Sequence, residues 1–352
     1  MKILVIRRDN IGDLVCTTPL IAALREKYPQ AAIYALVNDY NKDVLDGHPL
    51  LDGVYFYTKL KHRGAGDSVV RVIWRKLMTY LALRREHFDY AIVAGSGYPK
   101  NAVRLAKAAR PKHVISFVSE GTDYDAIVDY PIPFTRDHVF RHEVECLAEL
   151  LLPLGVTQAP GRLSLPAVVV PDVLARRFST KQRPVIALHI SARERSRVWA
   201  VEHFCEVIRT CLSRDVDFLL LWAPGAADDP RHPGDDEKAD YIRSQFPEHE
   251  RLVFYPTRTV KELMAAFSCA DLAVCSDGGG LHLAAGSGAS VVGLFEHLEK
   301  KTKHWYPWQV PHRVLTSGSE QDWQVAHIPV ADVVSAIEDL LPHSRVLPAD
   351  SD

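Results

Sequence analysis

The chain has 352 residues, 24% charged side chains and a formal net charge of −2, enough length for two domains and no global positive excess that would suggest a nucleic-acid partner. Its six cysteines, at 16, 146, 205, 211, 269 and 275, form no Cys-x-x-Cys pair and mostly sit in apolar runs, which reads as reduced thiols in a cytoplasmic protein. The few apolar residues before Arg7 are too short for a signal peptide, and no run reaches membrane-spanning length, so any membrane contact is expected to be peripheral.

In chain order, Ile3-Leu4-Val5-Ile6 predicts a short buried strand. It leads through Arg7-Arg8-Asp9-Asn10-Ile11-Gly12-Asp13 into a helical pattern ending near Pro29, with Pro19 marking either a late start or a kink. Strands follow over 32–37 and 54–57, a helix over 69–85, a strand over 90–94, a helix over 101–109, a strand over 113–117 and a helix over 143–152. Apolar strands alternating with helices predict a parallel sheet covered on both faces.

Prolines at 153, 160, 166, 171 and 184 then break the pattern and mark a linker. The alternation restarts with strands over 185–188, 218–222, 252–254, 271–275 and 291–295, and helices over 201–212, 237–246 and 260–269. The sequence therefore predicts an α/β protein of two doubly wound domains, 1–165 and 166–329. Residues 330–352 form a terminal helix and tail, the helix a candidate to pack back on the N-terminal domain. Ligands in such sheets bind beyond the carboxyl ends of the strands, which places the candidate site in a cleft between the two domains.

Four stretches carry candidate chemistry. Gly12 and Asp13 follow the first strand, where Asp13 is either a catalytic carboxylate or a helix cap. After the first strand of the second half, His189 to Trp199 contains Ser191, Ser196, Arg193, Arg195 and Arg197, a candidate phosphate clamp or a solvated basic loop. Ser276-Asp277-Gly278-Gly279-Gly280-Leu281-His282 joins a strand to a helix; its glycines and the helix N-terminus favour an anion, although a capped turn is the plainer reading. Residues 59–85 carry Lys59, Lys61, Arg63, Arg71, Arg75, Lys76, Arg84 and Arg85 against one acid, Asp67, with Trp74, Met78 and Tyr80 interleaved. This stretch suits an anionic acceptor or headgroup layer, or is a solvated helix face. Gly95-Ser96-Gly97 lacks the third glycine of a dinucleotide fingerprint, and His138 and His142 lack a third metal ligand, so no metal site is expected.

Taken together these residues resemble glycosyltransferase family nine, the lipopolysaccharide heptosyltransferases. Arg7 to Asp13 followed by Thr17-Thr18-Pro19 is similar to its N-terminal motif, and His48-Pro49-Leu50-Leu51-Asp52-Gly53-Val54 to its second signature. His142-Glu143-Val144 through Leu154-Gly155-Val156 resembles the helix before its linker. Arg197-Val198-Trp199 resembles its donor-site loop, Asp277 to Ala285 its Asp-Thr-Gly-x-x-His-x-x-Ala motif, and Trp305-Tyr306-Pro307 its Trp-x-Pro. Gly278 stands where the family usually has Thr, Arg197 where it usually has Lys, and Glu296 where it usually has Gly.

The resemblance implies a GT-B fold and an inverting, metal-independent transfer, with heptose from ADP-heptose moved onto a lipopolysaccharide core or related glycan. It implies Asp13 as general base, and Ser191, Arg195, Arg197, Asp277, Gly278, Gly279, Gly280 and His282 around the nucleotide-sugar donor. Arg7, Arg8, Gly12, Lys59, Lys61 and Arg63 fall on the side of an anionic, lipid-linked glycan acceptor, presented at the cytoplasmic face of the inner membrane. Alternatives are transfer of another nucleotide sugar, a nucleotide-sugar epimerase, or a non-catalytic nucleotide-sugar-binding module.

Overall fold

The computed structural model describes all residues except 59–68, 120, 122, 181, 230–232, 248, 320 and 342–352. The chain divides into two compact units, Met1–Ala167 and Val168–Asp352.

The first unit contains β1 (Lys2–Ile6), α1 (Ile11–Val15), α2 (Thr18–Lys27), β2 (Ala32–Asn38), β3 (Gly53–Tyr57), α3 (Val69–Glu86), β4 (Tyr90–Val93), α4 (Lys100–Ala109), β5 (His113–Ser119), β6 (Tyr130–Phe134) and α5 (Glu143–Glu149). All its strand pairs are parallel, in the order β3-β2-β1-β4-β5-β6. The helical pattern after β1 is two helices. Pro19 sits in the first turn of α2, where its missing N–H costs nothing and its fixed φ suits the helix. The apolar central strands are buried because helices cover the sheet, and Leu4, Ile6, Leu36, Ala91 and Val93 form its core with Leu83 of α3 and Val103 of α4.

The second unit contains α6 (Asp172–Phe178), β7 (Val185–His189), α7 (Val201–Cys211), β8 (Asp217–Trp222), α8 (Asp236–Gln245), β9 (Leu252–Pro256), α9 (Val260–Ser268), β10 (Leu272–Ser276), α10 (Gly279–Gly286), β11 (Ser290–Phe295), α11 (Glu299–Trp305), β12 (His312–Thr316) and α12 (Val330–Leu340). Its parallel sheet runs β12-β11-β10-β7-β8-β9. Counted from each unit's own first strand, both sheets have the order three-two-one-four-five-six. The chain winds outward from the first strand, returns, and winds the other way from the fourth. The loops leaving the first and fourth strands therefore diverge, which opens a crevice at their carboxyl ends. That crevice lies at β1 and β4 in the first unit, and at β7 and β10 in the second.

Two further features bear on the sequence expectations. Helix α6 lies in the proline-rich stretch read as linker, and begins just after Pro171. Helix α12, expected as a candidate to pack back on the N-terminal domain, places Val333, Ala336, Ile337 and Leu340 in the second unit's own core. The residues from 330 belong to that unit as far as they are described.

Tight packing shapes the second crevice. A Cβ built at Gly280 would meet the ring of His189 at 2.9 Å, and that ring in turn lies 6.0 Å from the Phe267 ring. The last residue of β7 thus dictates a glycine in the first turn of α10. Gly280→Ala should lower stability by about 1–3 kcal/mol, the scale of overpacking, measured by urea unfolding. Adding His189→Ala should recover part of that loss; no recovery would mean that the His189 ring is not the obstruction.

Candidate functional site

In the first unit the crevice is organised by a buried cation. Arg7, the residue after β1, is 2% exposed. Its Nη1 donates to Glu143 Oε1 at 2.7 Å and its Nη2 to Asp13 Oδ1 at 2.8 Å. Its Nε lies 3.2 Å from Asp9 Oδ2, an ion pair whose angle falls outside hydrogen-bond geometry. Burial alone would lower the guanidinium's pKa, but the carboxylates of Glu143, Asp13 and Asp9 outweigh burial and hold it above its ordinary value. Ser96 Oγ, just beyond β4, donates to Glu143 Oε2 at 2.7 Å, so both oxygens of that fully buried carboxylate are satisfied.

Asp13 is a helix cap that also pairs with the buried cation. Its Oδ2 accepts from the Asn10 backbone N–H at 3.0 Å, completing a capping box for α1, while Oδ1 faces Arg7. Its side chain keeps 17% of its exposure, whereas Glu143 has none. Of the two carboxylates that Arg7 bonds, Asp13 is therefore the one that reaches the surface. The loop that carries it is clamped from the end of β2 and the turn after it: Asn38 Nδ2 donates to the carbonyls of Arg8 and Asp9 at 3.1 and 3.0 Å, and Asn41 Nδ2 to that of Asp9 at 3.1 Å. Both asparagines are buried.

The remaining first-unit candidates separate. Arg7 spends its donors inside the unit. Arg8 is half-buried and donates from Nε to the Tyr57 hydroxyl at 3.3 Å. Gly12 is buried in α1. Lys59, Lys61 and Arg63 lie outside the described residues. The Thr17-Thr18-Pro19 and His48 motifs hold the fold: Thr17 Oγ1 donates to the Asp13 carbonyl at 2.8 Å, and Thr18 Oγ1 accepts from the Ser164 backbone N–H at 3.0 Å. His48 lies 3.2 Å from the Ser164 hydroxyl and caps its own turn by accepting from Leu50 N–H. His138 and His142 serve structure too, through Glu149 at 2.9 Å and the Val144 N–H at 3.1 Å.

In the second unit, Arg197 ends a short turn after β7. Its Nη1 donates to the Asp277 carbonyl at 3.0 Å, its Nη2 lies 3.3 Å from Asp277 Oδ2, and its Nε donates to Glu296 Oε2 at 3.2 Å. Asp277 therefore faces Arg197, and the N-cap of α10 is Gly278, which has no side chain with which to cap the helix. Gly278, Gly279 and Gly280 present partly exposed backbone there, with first-turn N–H groups available to an anion. His282 is buried, its ring edge-on to Trp305 at 5.8 Å, which joins two motifs far apart in the sequence. Trp199 is 2% exposed and its indole N–H donates to the Ile328 carbonyl at 3.0 Å, pinning the Arg197 loop to the core. Ser191 Oγ accepts from the Ala223 N–H at 2.9 Å and ties this loop to the one after β8, while Arg195 is exposed.

Glu296, 2% exposed, is the hub of this cluster. Oε1 accepts from Ser196 Oγ at 2.6 Å, and Oε2 takes both Arg197 Nε and the Lys301 ammonium. Burial, then the like charge of Arg197, pull the Lys301 pKa down, against an opposite pull from Asp277 and Glu194. His189 is also pushed down, to about 4, chiefly by burial, so its ring is neutral near pH 7. Among the described residues no three His, Cys, Asp or Glu side chains converge as a metal-binding group.

Sequence reasoning missed Asn38, Asn41, Ser96, the role of Glu143 and Lys301. Glu143 carried a signal, being an acid at the head of a helix that is otherwise largely buried. Lys301 sits in a charged run and carried none.

Comparison with known proteins agrees with this geometry. The family model of glycosyltransferase family 9 (heptosyltransferase) matches residues 77–327. The chain is 24% identical over 357 residues to lipopolysaccharide heptosyltransferase 3 of Escherichia coli (strain K12), covering 94% of this chain and 95% of that protein. Among solved structures it is similar to the glycosyl transferase family 9 protein from Veillonella parvula, with a TM-score of 0.78 at 18% identity over 97% of this chain and 98% of that one. It is also similar to the E. coli heptosyltransferase WaaC with ADP, with a TM-score of 0.75 at 15% identity over 96% of this chain and 99% of that one. The paired Rossmann-like sheets, the ordered motifs and the family match lead to one conclusion: this chain belongs to glycosyltransferase family 9, the heptosyltransferases, and is a glycosyltransferase.

Proposed function

We propose that the chain transfers heptose from ADP-heptose to a lipopolysaccharide-core acceptor, with inversion and without a metal cofactor. The observation that carries this reading is the partly exposed Asp13 carboxylate, held by buried Arg7 at the carboxyl end of β1. The name of the E. coli relative and the ADP bound to WaaC support the donor and acceptor classes.

The acceptor hydroxyl oxygen attacks the anomeric carbon while its proton passes to Asp13. The bond from that carbon to the diphosphate oxygen breaks, and its electron pair leaves on the diphosphate. Arg197 and the first-turn N–H groups of α10 meet the charge that develops there. Arg7 does not touch substrate in this scheme. It fixes the orientation of Asp13, and Glu143 and Ser96 fix Arg7.

The acceptor class also fits α3. Val70, Ile73, Trp74, Leu77, Met78 and Leu81 are all exposed along it, Val70 at 75% and Trp74 at 60%. They recur at helical spacing, with Arg71, Arg75 and Lys76 interleaved and Arg84 and Arg85 in the last turn. An apolar stripe with basic neighbours suits an anionic bilayer surface, at about 1 kcal/mol per well-placed cation.

Asp13→Asn should lower kcat by about 10²–10⁴-fold, the range for a general base, with calorimetric donor binding nearly unchanged. Wild-type turnover in this variant would leave Asp13 as only a helix cap. Arg7→Met strands buried Glu143 without its counter-ion and should cost about 3–5 kcal/mol in urea unfolding; wild-type stability would refute the pairing. Reversing Arg71, Arg75 and Lys76 to Glu should weaken sedimentation with phosphatidylglycerol-containing vesicles and raise the KM for lipid-borne acceptor, leaving the donor KM unmoved. Unchanged vesicle binding at low salt would make α3 a plain solvated face.

A further inference from the structure

We infer that Lys301 is a second cation for the leaving diphosphate, held beside Arg197 by Glu296. This rests on the donor-site reading of the second unit.

The starting point is the hydrogen-bond count at Glu296. Its side chain is 3% exposed, and a carboxylate so buried needs a cation and filled lone pairs. Ser196 Oγ satisfies Oε1, and Arg197 Nε alone would supply Oε2 with both a donor and a counter-charge. Lys301 arrives as a third partner, from a different element, on the oxygen Arg197 already serves. It is the partner Glu296 can spare: with Lys301 gone, the carboxylate keeps a hydroxyl and a guanidinium.

Lys301 is also placed to leave. Its side chain is 23% exposed, the same as that of Arg197, so both cations reach the surface of the crevice while their shared anchor stays below it. A lysine carries its charge on a flexible four-carbon stem and can swing, whereas the Arg197 fork is fixed by Asp277 on one side and Glu296 on the other. The ligand gives it a reason to move. Within the cluster, Arg197 and Lys301 balance Asp277 and Glu296. A nucleoside diphosphate adds at least two negative charges at the head of α10. Gly278, Gly279 and Gly280 offer it backbone N–H groups but no side-chain donor. The second side-chain donor must come from elsewhere, and Lys301 is the cation already on Arg197's anchor.

The test is calorimetric titration of the purified chain with ADP, GDP and UDP, then with the tightest of these and its parent nucleoside across a set of variants. Lys301→Met should weaken diphosphate binding about tenfold or more, the scale of one charge-assisted hydrogen bond, and leave nucleoside binding within about twofold. Lys301→Arg should restore most of the loss. Wild-type diphosphate affinity in Lys301→Met would overturn the inference, as would equal losses for nucleoside and diphosphate, which mean a structural role. If the wild type bound none of the three nucleotides, the donor-site reading would fall and the inference with it; that result is distinct from tight binding indifferent to Lys301.

Discussion

The pairing of one buried guanidinium with the carboxylates of Asp9, Asp13 and Glu143 is the constraint on which the first unit depends. A cation sealed from water needs counter-charge and geometry, or it leaves the core. Arg7 gets both from three separate places: the loop after β1, the first turn of α1 and the first turn of α5. Their union therefore fixes how those elements meet. Asp13 inherits that rigidity: one oxygen is set by Arg7 and the other by its own helix cap. In the proposed reaction, a base so held needs no reorganisation before it takes a proton.

The second unit solves the opposite electrostatic problem with the same topology. The first unit gathers acids around a cation, whereas the second gathers Arg197, Lys301 and the glycine-rich N-terminus of α10 around Glu296 and Asp277. Both clusters stand where the first and fourth strands part. One strand order, used twice, thus supplies an acidic crevice suited to a proton and a donor-rich one suited to phosphate. Family membership makes the chain a glycosyltransferase, and the proposed reaction assigns one cluster to each of its two halves.

The central strands were legible in the sequence because they are short, apolar and separated by helical periods. The strands missed were one edge of each sheet, β6 and β12. β6 reads Tyr-Pro-Ile-Pro-Phe, and its prolines argue against a strand until an edge is allowed, where a missing N–H breaks no ladder on the open side. β12, at the edge of the other sheet, is only half-buried and shows no continuous apolar run. Within the site, Asp13, Arg197 and the glycine turn were legible because each follows a strand directly. The pairing of Glu143 with Arg7 was not, because it spans 136 residues and no local spacing encodes that contact. Glu296 was visible as an oddity, but its partners became visible only when β11, α11 and the Arg197 loop were brought together.

The central claim is a single displacement in which Asp13 removes the acceptor's proton as the diphosphate leaves. The anomeric configuration of the new glycosidic bond tests it most directly. It is read by NMR coupling constants on product made from a donor of known configuration. The account predicts inversion at the anomeric carbon. Retention would require an intermediate on the enzyme or internal return from the leaving group, and would contradict the assignment of Asp13 as the base for direct attack.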